Sequence, residues 1–348
     1  MQTTWQNLLT TLVSQGDLGV AESSWAMEEV LHGRASEAQL AAFLIALSIK
    51  GETVDEIVGF RDSVLAASLP LAVDPMALDI VGTGGDRFGT VNISSTAAIV
   101  AAASGARVVK HGNRAASSAS GSSDVLSALG VNVDLEPDAV ARVLEQAGIT
   151  FVFASKFHSG FRHAGPVRSQ LGVPTVFNIL GPLCNPARPE ASAVGVASVD
   201  RIPLITGVFQ RRGATALVFR GDDGLDELST TGHSRIWEIS RGDIHEHDLD
   251  PRDLDLPRAQ IEDLLGGDPQ HNAGVVRAVL AGQHGPVRDI VLLNAAAGLV
   301  AWELAQDATQ IERPILERLA QQLDRAAEAI DSGRAAETLE QWAAATRA

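Results

Sequence analysis

The sequence predicts an α/β protein with two parts, a small N-terminal α-helical domain and a larger α/β domain with a mostly parallel central sheet. The N-terminal part carries apolar residues at helical spacing and has no proline before Pro70. From Leu78 onward, short β-branched runs alternate with helical segments, as is typical of parallel strands covered by helices. We therefore expect a helical domain at residues 1–73 and an α/β domain at residues 74–348.

Four helices are predicted in the N-terminal domain, and two of them begin with a capping box. Ser36 stands three residues before Gln39, and Thr53 stands three residues before Glu56. The apolar periodicity places the helices at residues 5–13, 24–31, 39–49 and 54–67.

The larger domain is predicted to alternate strands with helices. Its strand-like runs are LDIV, RVVK, VNV, TFVFAS, ASAVGVAS and TALVFRG, and residues 235–250 are expected to form strand and turn. The predicted helices are NISSTAAIVAAASG, SSDVLSALG, PDAVARVLEQAG and residues 202–211, 272–280, 287–304 and 311–330.

Composition narrows the classes of function. The formal net charge of −16 argues against nucleic-acid and anionic-membrane partners, because both usually require a basic face. The single cysteine, Cys184, excludes an intrachain disulfide and a cysteine-based zinc site. The longest apolar run is too short to span a bilayer, and the first residues lack the basic region of a secretory signal. We therefore expect a soluble cytoplasmic protein.

Two loops rich in small residues are predicted to bind phosphate. GTGGD, at residues 82–86, connects a strand to a helix beginning near Asn92, whose free N–H groups favour an anion. Its glycine spacing matches neither the dinucleotide fingerprint nor the nucleoside-triphosphate P-loop. VKHGNRAASSASGSSD, at residues 109–124, joins Lys110 and Arg114 to a bare, serine-rich backbone. Two such loops at one sheet edge indicate a ligand with more than one phosphate group.

An acidic cluster follows the strand TALVFRG and is expected at the same sheet edge. In GDDGLDEL it comprises Asp222, Asp223, Asp226 and Glu227. Alone it would be interpreted as a surface turn of an acidic chain. Beside two anion loops it favours Mg²⁺, which one or two carboxylates hold together with substrate oxygens.

A predicted helix carries four cationic or titratable side chains, His158, Arg162, His163 and Arg168. An inward-pointing arginine is the natural bidentate partner of a substrate carboxylate. The two histidines have no thiolate near them in sequence, so we predict no zinc site here. The parts together indicate a magnesium-bound polyphosphate and a separate arginine for a carboxylate.

These motifs resemble those of a known family. GTGGD, NIS, KHGNRAASS, PVRxxLGxxTxFNxLGPLxNP and DGLDE occur in the order and spacing of the anthranilate phosphoribosyltransferases, over about residues 5–345. The resemblance implies a fold like that of pyrimidine nucleoside phosphorylases and a homodimer assembled through the helical domain, residues 1–73. It also implies the second step of tryptophan biosynthesis, in which the anthranilate amine displaces pyrophosphate from 5-phosphoribosyl-1-pyrophosphate.

The resemblance also implies roles for individual residues. The expected contacts of phosphoribosyl pyrophosphate are Gly82, Gly85, Asp86, Thr90, Asn92, Ile93, Ser94, Ser95, Lys110, His111, Gly112, Asn113, Arg114, Ala115, Ala116, Ser117, Ser118 and Ser122. The expected contacts of anthranilate are Gly82, Asn113 and Arg168, with Arg168 facing the carboxylate. The expected Mg²⁺ ligands are Ser94, Asp226 and Glu227, and the catalytic candidates are Lys110, Asn113 and Arg168.

The sequence departs from the family pattern in three places. The usual His-Pro is His158-Ser159, followed by Gly160, the usual N-I-S-T ends in Ser95, and Ala119 replaces a lysine that many members carry. Residues 159 and 160 are expected near the aromatic-substrate tunnel, so a transferase for another aminobenzoate is an alternative.

Two further alternatives are a nucleoside phosphorylase of the same fold and a non-enzymatic relative that binds nucleic acid. Arg168 and the GPLxNP stretch favour anthranilate over a nucleobase. The net charge of −16 and the intact DGLDE cluster oppose nucleic-acid binding.

Overall fold

The structure is a computed structural model that describes residues 3–114 and 119–348. Within these residues, the N-terminal domain contains the helices α1 (Trp5–Val13), α2 (Val20–Leu31), α3 (Glu37–Lys50) and α4 (Val54–Ala66). All four predicted helices are confirmed. The second begins earlier than predicted because Gly19 takes the N-cap position and its N–H donates to Glu22 Oε2 at 3.0 Å.

Both predicted capping boxes are present. Ser36 Oγ accepts from the Gln39 N–H at 3.3 Å, and Gln39 Oε1 accepts from the Ser36 N–H at 2.9 Å. Thr53 and Glu56 form the equivalent pair at the start of α4, at 3.3 and 2.8 Å. These reciprocal bonds satisfy N–H groups that have no partner inside the helix.

The α/β domain follows. Within the described residues its strands are β1 (Leu78–Gly82), β2 (Val108–Gly112), β3 (Ile149–Phe153), β4 (Ala191–Gly195), β5 (Thr215–Gly221), β6 (Ser234–Ser240) and β7 (Asp243–Leu249). Its helices are α5 (Ile93–Ala103), α6 (Ser122–Ala128), α7 (Pro137–Ala147), α8 (Ala154–Phe157), α9 (Gly165–Leu171), α10 (Phe177–Leu180), α11 (Ile202–Arg212), α12 (Pro269–Leu280), α13 (Pro286–Gln306), α14 (Ile315–Asp331) and α15 (Arg334–Ala345). No helix in the described part of the chain is both long and apolar enough to cross a membrane.

The strands form one sheet in the order β3-β2-β1-β4-β5-β6-β7. The strands from β3 to β5 pair in parallel, whereas β6 and β7 pair antiparallel. The predicted mostly parallel sheet is therefore confirmed. Because the carboxyl ends of β1, β2, β4 and β5 meet at one edge, the loops that follow these strands lie close together.

Two hydrophobic cores lie on opposite faces of the sheet. Along β5, Leu217 and Phe219 belong to the core shared with α5 and α13, while Ala216 and Val218 belong to the core shared with α4 and α11. This alternation follows from the two-residue period of a strand. The helical domain thus packs on one face of the sheet, and the long helix α13 packs on the other.

Two predictions about local structure are wrong. The run VNV is not a strand, because Val131 packs into the core with Trp342 of α15 and the Asn132 N–H donates to Thr346 Oγ1 at 3.0 Å. The single helix predicted to carry His158 and Arg168 is divided into a 3₁₀ turn and α9. The break precedes Pro166, which occupies the first turn of α9 and has no N–H to continue an earlier helix. Helix α15 was not predicted.

Helices α2 and α4 approach each other closely at Gly59. A Cβ at this position would lie 2.5 Å from the Val20 carbonyl oxygen and 2.8 Å from Ser23 Cβ. The Ser24 hydroxyl donates to the Gly59 carbonyl at 3.1 Å, and the Ser63 hydroxyl donates to the Ser24 carbonyl at 3.0 Å. The small residue therefore permits direct backbone contact.

We predict that Gly59→Ala lowers the free energy of unfolding by about 1–3 kcal/mol, because overpacking outweighs the helix preference of alanine. Gly274→Ala in α12 is the matched control. It has no atom within 4 Å of a new Cβ, so we expect a stabilisation of about 0.5–1 kcal/mol. Urea unfolding of both variants measures the difference, and equal effects would contradict the packing explanation.

Candidate active site at the carboxyl edge of the sheet

Asp226 lies against the backbone where β1 and β4 end. A Cβ at either Gly82 or Gly195 would collide with Asp226, so the loop after β5 can sit here only because both positions are glycine. Asp226 Oδ2 accepts from the Gly84 N–H at 2.6 Å. The predicted meeting of the GTGGD and DGLDE loops is thus seen directly. Sequence reasoning missed Gly195, although a glycine ending the strand ASAVG was a usable signal.

Glu227, Ser94 and Lys110 form a buried cluster beside Asp226. Glu227 Oε1 accepts from the Ser94 N–H at the start of α5, at 3.2 Å. Lys110 Nζ donates to the Ile80 carbonyl at 2.6 Å and lies 3.5 Å from Ser94 Oγ. Only 2% of Lys110 is exposed, although its charge is usually solvated.

Charge is unevenly balanced in this cluster. Burial lowers the pKa of Lys110, and the nearby carboxylates of Asp79 and Glu227 oppose that shift. Burial, followed by repulsion from Asp86, raises the pKa of Asp226. Burial and repulsion from Asp226 raise the pKa of Glu227 well above its usual range. The cluster therefore contains more carboxyl groups than ammonium groups, and a further positive charge would stabilise the ionised carboxylates.

The donor set fits Mg²⁺ bound together with a ligand. Within residues 3–114 and 119–348, no three side chains of His, Cys, Asp or Glu converge as a complete metal site. Asp226, Glu227 and the Ser94 hydroxyl supply hard oxygen atoms for part of a coordination sphere. Mg²⁺ is commonly held by one or two carboxylates while phosphate oxygens and waters complete its octahedron.

Asp79 and Asn185 fix the strand that carries Lys110. Asp79 Oδ1 accepts from the His111 N–H at 3.1 Å, and Asp79 Oδ2 accepts from Asn185 Nδ2 at 2.9 Å. Asn185 Nδ2 also donates to the Val109 carbonyl at 2.8 Å. Burial raises the pKa of Asp79 to about 6, and Lys110 opposes that shift. Neither residue was predicted, although Asn185 belongs to the GPLxNP motif.

The second predicted loop begins at Asn113, whose amide is oriented by its neighbours. Asn113 Oδ1 accepts from Ser155 Oγ at 2.7 Å and from the Arg114 N–H at 2.9 Å. The amide oxygen is therefore engaged, which directs the Nδ2 donors elsewhere. Ser122 Oγ donates to the Asn113 carbonyl at 3.1 Å and occupies space that a Cβ on Gly112 would need. Ser155 was not predicted.

Asn92 links the two loops to the helix α12. Its Nδ2 donates to the Ser120 carbonyl at 3.1 Å, and its Oδ1 accepts from Asn272 Nδ2 at 2.9 Å. Thr90 forms an isolated antiparallel bridge with Leu265. The segment before α12 thus braces the loop after β1.

Most of the predicted residues come together at this edge. They are Gly82, Gly85, Asp86, Thr90, Asn92, Ser94, Lys110, His111, Gly112, Asn113, Arg114, Ser122, Asp226 and Glu227. Ile93 and Ser95 also lie at this edge, in the first turn of α5, but each residue as a whole is only 2% exposed. The predicted contacts Ala115, Ala116, Ser117 and Ser118 lie outside the described residues.

Arg168 lies on α9, separated from these loops by a row of rings. The ring centroids of His111 and His158 are 5.2 Å apart, and those of His158 and Phe161 are 5.5 Å apart. Phe161 meets Phe177 at 5.4 Å, and the Arg168 guanidinium lies 5.1 Å from the Phe177 ring centroid. The row runs from the end of β2 to the arginine.

The charge of Arg168 is not balanced by an acidic side chain. No carboxylate within the described residues forms an ion pair with it. Burial lowers its pKa, since the partly buried guanidinium has lost part of its hydration. A ligand carboxylate would supply the missing bidentate partner.

Gly160 has a packing role that accounts for one departure from the family pattern. A Cβ there would lie 2.9 Å from the Leu31 carbonyl oxygen and 3.0 Å from Leu31 Cδ2. The glycine lets the 3₁₀ turn pack against the end of α2. Residue 160 therefore lies at the contact between the helical domain and the α/β domain.

Comparisons with known proteins agree with this geometry. The model of the "Glycosyl transferase family, a/b domain" matches residues 74–336, and that of the "Glycosyl transferase family, helical bundle domain" matches residues 6–68. The anthranilate phosphoribosyltransferase of Leifsonia xyli subsp. xyli is 71% identical over 343 residues, covering 99% of this chain and 98% of the relative. That of Clavibacter michiganensis subsp. michiganensis is 62% identical over 346 residues, covering 99% of each.

Solved structures are similar along the whole chain. The anthranilate phosphoribosyltransferase of Thermus thermophilus superposes with a TM-score of 0.89 at 40% identity, covering 98% of this chain and 99% of the other. The Saccharomyces cerevisiae enzyme, solved in complex with PRPP and Mg, superposes with a TM-score of 0.88 at 27% identity, covering 99% and 98%.

The buried histidines generate a pH-dependence. Burial lowers the pKa of His111 to about 4 and that of His158 to about 3. The unfolded chain takes up these protons near pH 6.5, whereas the folded chain resists them. Their stabilising contribution is therefore complete above about pH 6.5 and is lost as the pH falls towards the folded-state values.

We predict that His158→Phe flattens the decline of the unfolding free energy between pH 7 and pH 4, relative to the unmutated chain. Neither ring nitrogen of His158 meets full hydrogen-bond geometry in the described residues, although the nearby Cys184 backbone opposes the fall in the pKa of His158. A phenyl ring therefore keeps the packing and gives up at most this one weak contact. Urea titrations at several pH values measure the slope. Parallel profiles for the two proteins would refute the prediction.

Proposed function

We propose, since the chain belongs to the anthranilate phosphoribosyltransferase family, that it transfers the phosphoribosyl group of 5-phosphoribosyl-1-pyrophosphate to the amine of anthranilate. Pyrophosphate is the second product, and the reaction is the second step of tryptophan biosynthesis. The observation that carries the proposal is the buried cluster of Lys110, Asp226 and Glu227 between two anion-binding loops. Arg168, without an acidic partner among the described residues, supplies the second half of the site.

The diphosphate substrate fits the carboxyl edge of the sheet. The loops after β1 and β2 and the first turn of α5 present N–H groups to its phosphates. Lys110 brings a fixed ammonium group, held by the Ile80 carbonyl at 2.6 Å. We assign the metal-holding oxygens to Ser94, Asp226 and Glu227. When bound, Mg²⁺ supplies positive charge that stabilises the departing pyrophosphate.

The aromatic substrate fits between the second loop and α9. Its carboxylate would pair with Arg168, whose charge has no acidic partner in the described residues, and the row of rings offers a flat apolar wall. Asn113 directs its Nδ2 donors away from Ser155, and we assign them to the junction between the two substrates. Anthranilate has a neutral amine at pH 7, so orientation is the main requirement for attack on the ribose carbon.

Two other activities fit less well. A nucleoside phosphorylase would bind a nucleobase without a carboxylate, which leaves the half-buried Arg168 without a partner. A transferase for another aminobenzoate was suggested by the change at residues 159 and 160. The contact between Gly160 and Leu31 gives residue 160 a packing explanation, which leaves Ser159 as the change still linked to substrate choice.

We also propose that the enzyme works in the cytoplasm. Cys184 is buried, and burial raises the pKa of its thiol to about 12. A single protected thiol requires no oxidising compartment.

We further propose a homodimer formed through the outer faces of α1 and α3. Val13 at the end of α1 is 74% exposed, and Ile49 at the end of α3 is 73% exposed. Helix α3 is apolar on more than its buried face, since Ala42 and Ile45 precede Ile49 at helical spacing. Helices that are apolar all round are usually buried on all sides.

Ile49→Asp is expected to shift the protein from dimer to monomer, because a charge would be desolvated in the contact. Sedimentation velocity at several concentrations measures the change. Val173→Asp, at a position that is 48% exposed between α9 and α10, is the control and should leave the dimer intact. A monomeric unmutated chain would contradict the proposal.

Arg168→Ala is expected to raise KM for anthranilate by about 10- to 100-fold, since a charge-assisted hydrogen bond is worth about 1.5–3 kcal/mol. KM for phosphoribosyl pyrophosphate should change little. The assay follows the loss of anthranilate fluorescence with phosphoribosyl pyrophosphate and Mg²⁺, and chelation of Mg²⁺ should stop it.

Arg142→Ala removes the same charge from an exposed position on α7 and serves as the matched control. It should leave both KM values unchanged. Nucleoside phosphorolysis by the unmutated chain, without consumption of anthranilate, would overturn the proposed function.

A further inference from the structure

The side chain of Asn294, in the middle of α13, hydrogen-bonds to both the N–H and the carbonyl of one residue in the loop between β5 and β6. Its Oδ1 accepts from the Leu228 N–H at 2.9 Å, and its Nδ2 donates to the Leu228 carbonyl at 2.9 Å. Nδ2 also donates to the Ile290 carbonyl one turn earlier, at 2.9 Å. The side chain thus pairs with Leu228 as the backbone of a neighbouring strand would.

The residue held by Asn294 directly follows the acidic pair. The Leu228 N–H belongs to the same peptide plane as the Glu227 carbonyl, so the clamp fixes the orientation of that plane. The direction in which the Glu227 side chain leaves the backbone is thereby fixed as well. Asp226 immediately precedes Glu227 in the same restrained segment.

Helix α13 also supports the partner of Glu227. It packs against α5, whose first turn carries Ser94. It approaches β1 so closely at Gly298 that a Cβ there would lie 2.6 Å from Ile80 Cδ1. One helix therefore contacts both segments and sets the distance between them. The Ser94 nitrogen and Glu227 Oε1 are 3.2 Å apart.

Packing alone does not account for an amide at this position. Asn294 is 0% exposed, and its neighbours Leu293 and Ala295 are equally buried. An amide in such surroundings costs free energy unless all its polar atoms are bonded, whereas leucine would carry no such cost. The polar side chain is therefore explained by what it holds.

We propose that Asn294 is a positioning residue, which orients the Asp226–Glu227 carboxylates towards the magnesium–diphosphate ligand. This inference rests on the proposed function, because it assigns those carboxylates to the metal. Residues that support metal ligands from behind commonly change metal affinity by about 10- to 100-fold when they are replaced.

The loop has a second set of bonds, so it should stay folded without the amide. Asp223 Oδ2 accepts from the hydroxyls of Ser229 and Thr231 at 2.5 Å each, and Asp223 Oδ1 accepts from the Leu225 N–H at 2.9 Å. Loss of Asn294 should therefore loosen the placement of Glu227 without unfolding the loop.

The test compares binding of magnesium pyrophosphate with binding of pyrophosphate in a chelator, by calorimetry on the full chain. Asn294→Ala should weaken binding of the magnesium complex by about 10- to 100-fold and leave binding of the free anion nearly unchanged. In the transferase assay, the Mg²⁺ concentration for half-maximal rate should rise by a similar factor while KM for anthranilate stays constant.

Thr150→Val is the matched control, because it removes a buried bond from Thr150 Oγ1 to the Val140 carbonyl on the edge strand β3, which β2, β1 and β4 separate from β5. It should leave both binding constants unchanged. Asn294→Asp keeps the size and the acceptor but loses the donors, and it decides the question if the alanine variant does not fold.

Equal losses for the magnesium complex and the free anion, or unmutated affinity in both Asn294 variants, would overturn the inference. Failure of the proposed function has a different signature. An unmutated chain that binds magnesium pyrophosphate but consumes no anthranilate would refute the function. The binding comparison would still test whether Asn294 positions the carboxylates.

Discussion

The burial of a lysine ammonium beside two carboxylates, at an edge of the sheet built from glycines, is the constraint on which the rest of the structure depends. Taking ions out of water costs several kcal/mol each unless partners are held in good geometry. Lys110 meets that condition through the Ile80 carbonyl and the nearby Asp79 and Glu227. Because the partners must not move, each lies on or against a strand or helix.

The same constraint explains the glycines. Gly82 and Gly195 end neighbouring parallel strands, and Asp226 packs against both of them in the space that a side chain would occupy. Any larger residue would push the acidic loop outward, and the carboxylates would return to water. The edge of the sheet thus leaves space for Asp226, and it also fixes where the loops after β1 and β2 begin.

Sequence reasoning recovered what is local or carried by a motif. The capping boxes of α3 and α4, the parallel sheet and the meeting of GTGGD with DGLDE follow from short-range patterns. It failed where a residue acts across the fold. Gly195, Asn185 and Asn294 contact segments more than 30 residues away. The strand-ending glycine and the motif asparagine mark their own positions, but the local sequence does not say which distant residue each one contacts. The run VNV resembles a strand in sequence because β-branched residues suit a strand and a core loop equally.

The buried thiol has a practical consequence. Cys184 is the one cysteine in the chain, and its thiol lies inside the protein with a pKa of about 12. The thiolate is the reactive form, so maleimide reagents should not label Cys184 in the native protein. A cysteine introduced at a chosen surface position would then be a single labelling site without further editing of the sequence. Spin labels or dyes placed in this way can test whether the helical domain moves relative to the sheet during turnover.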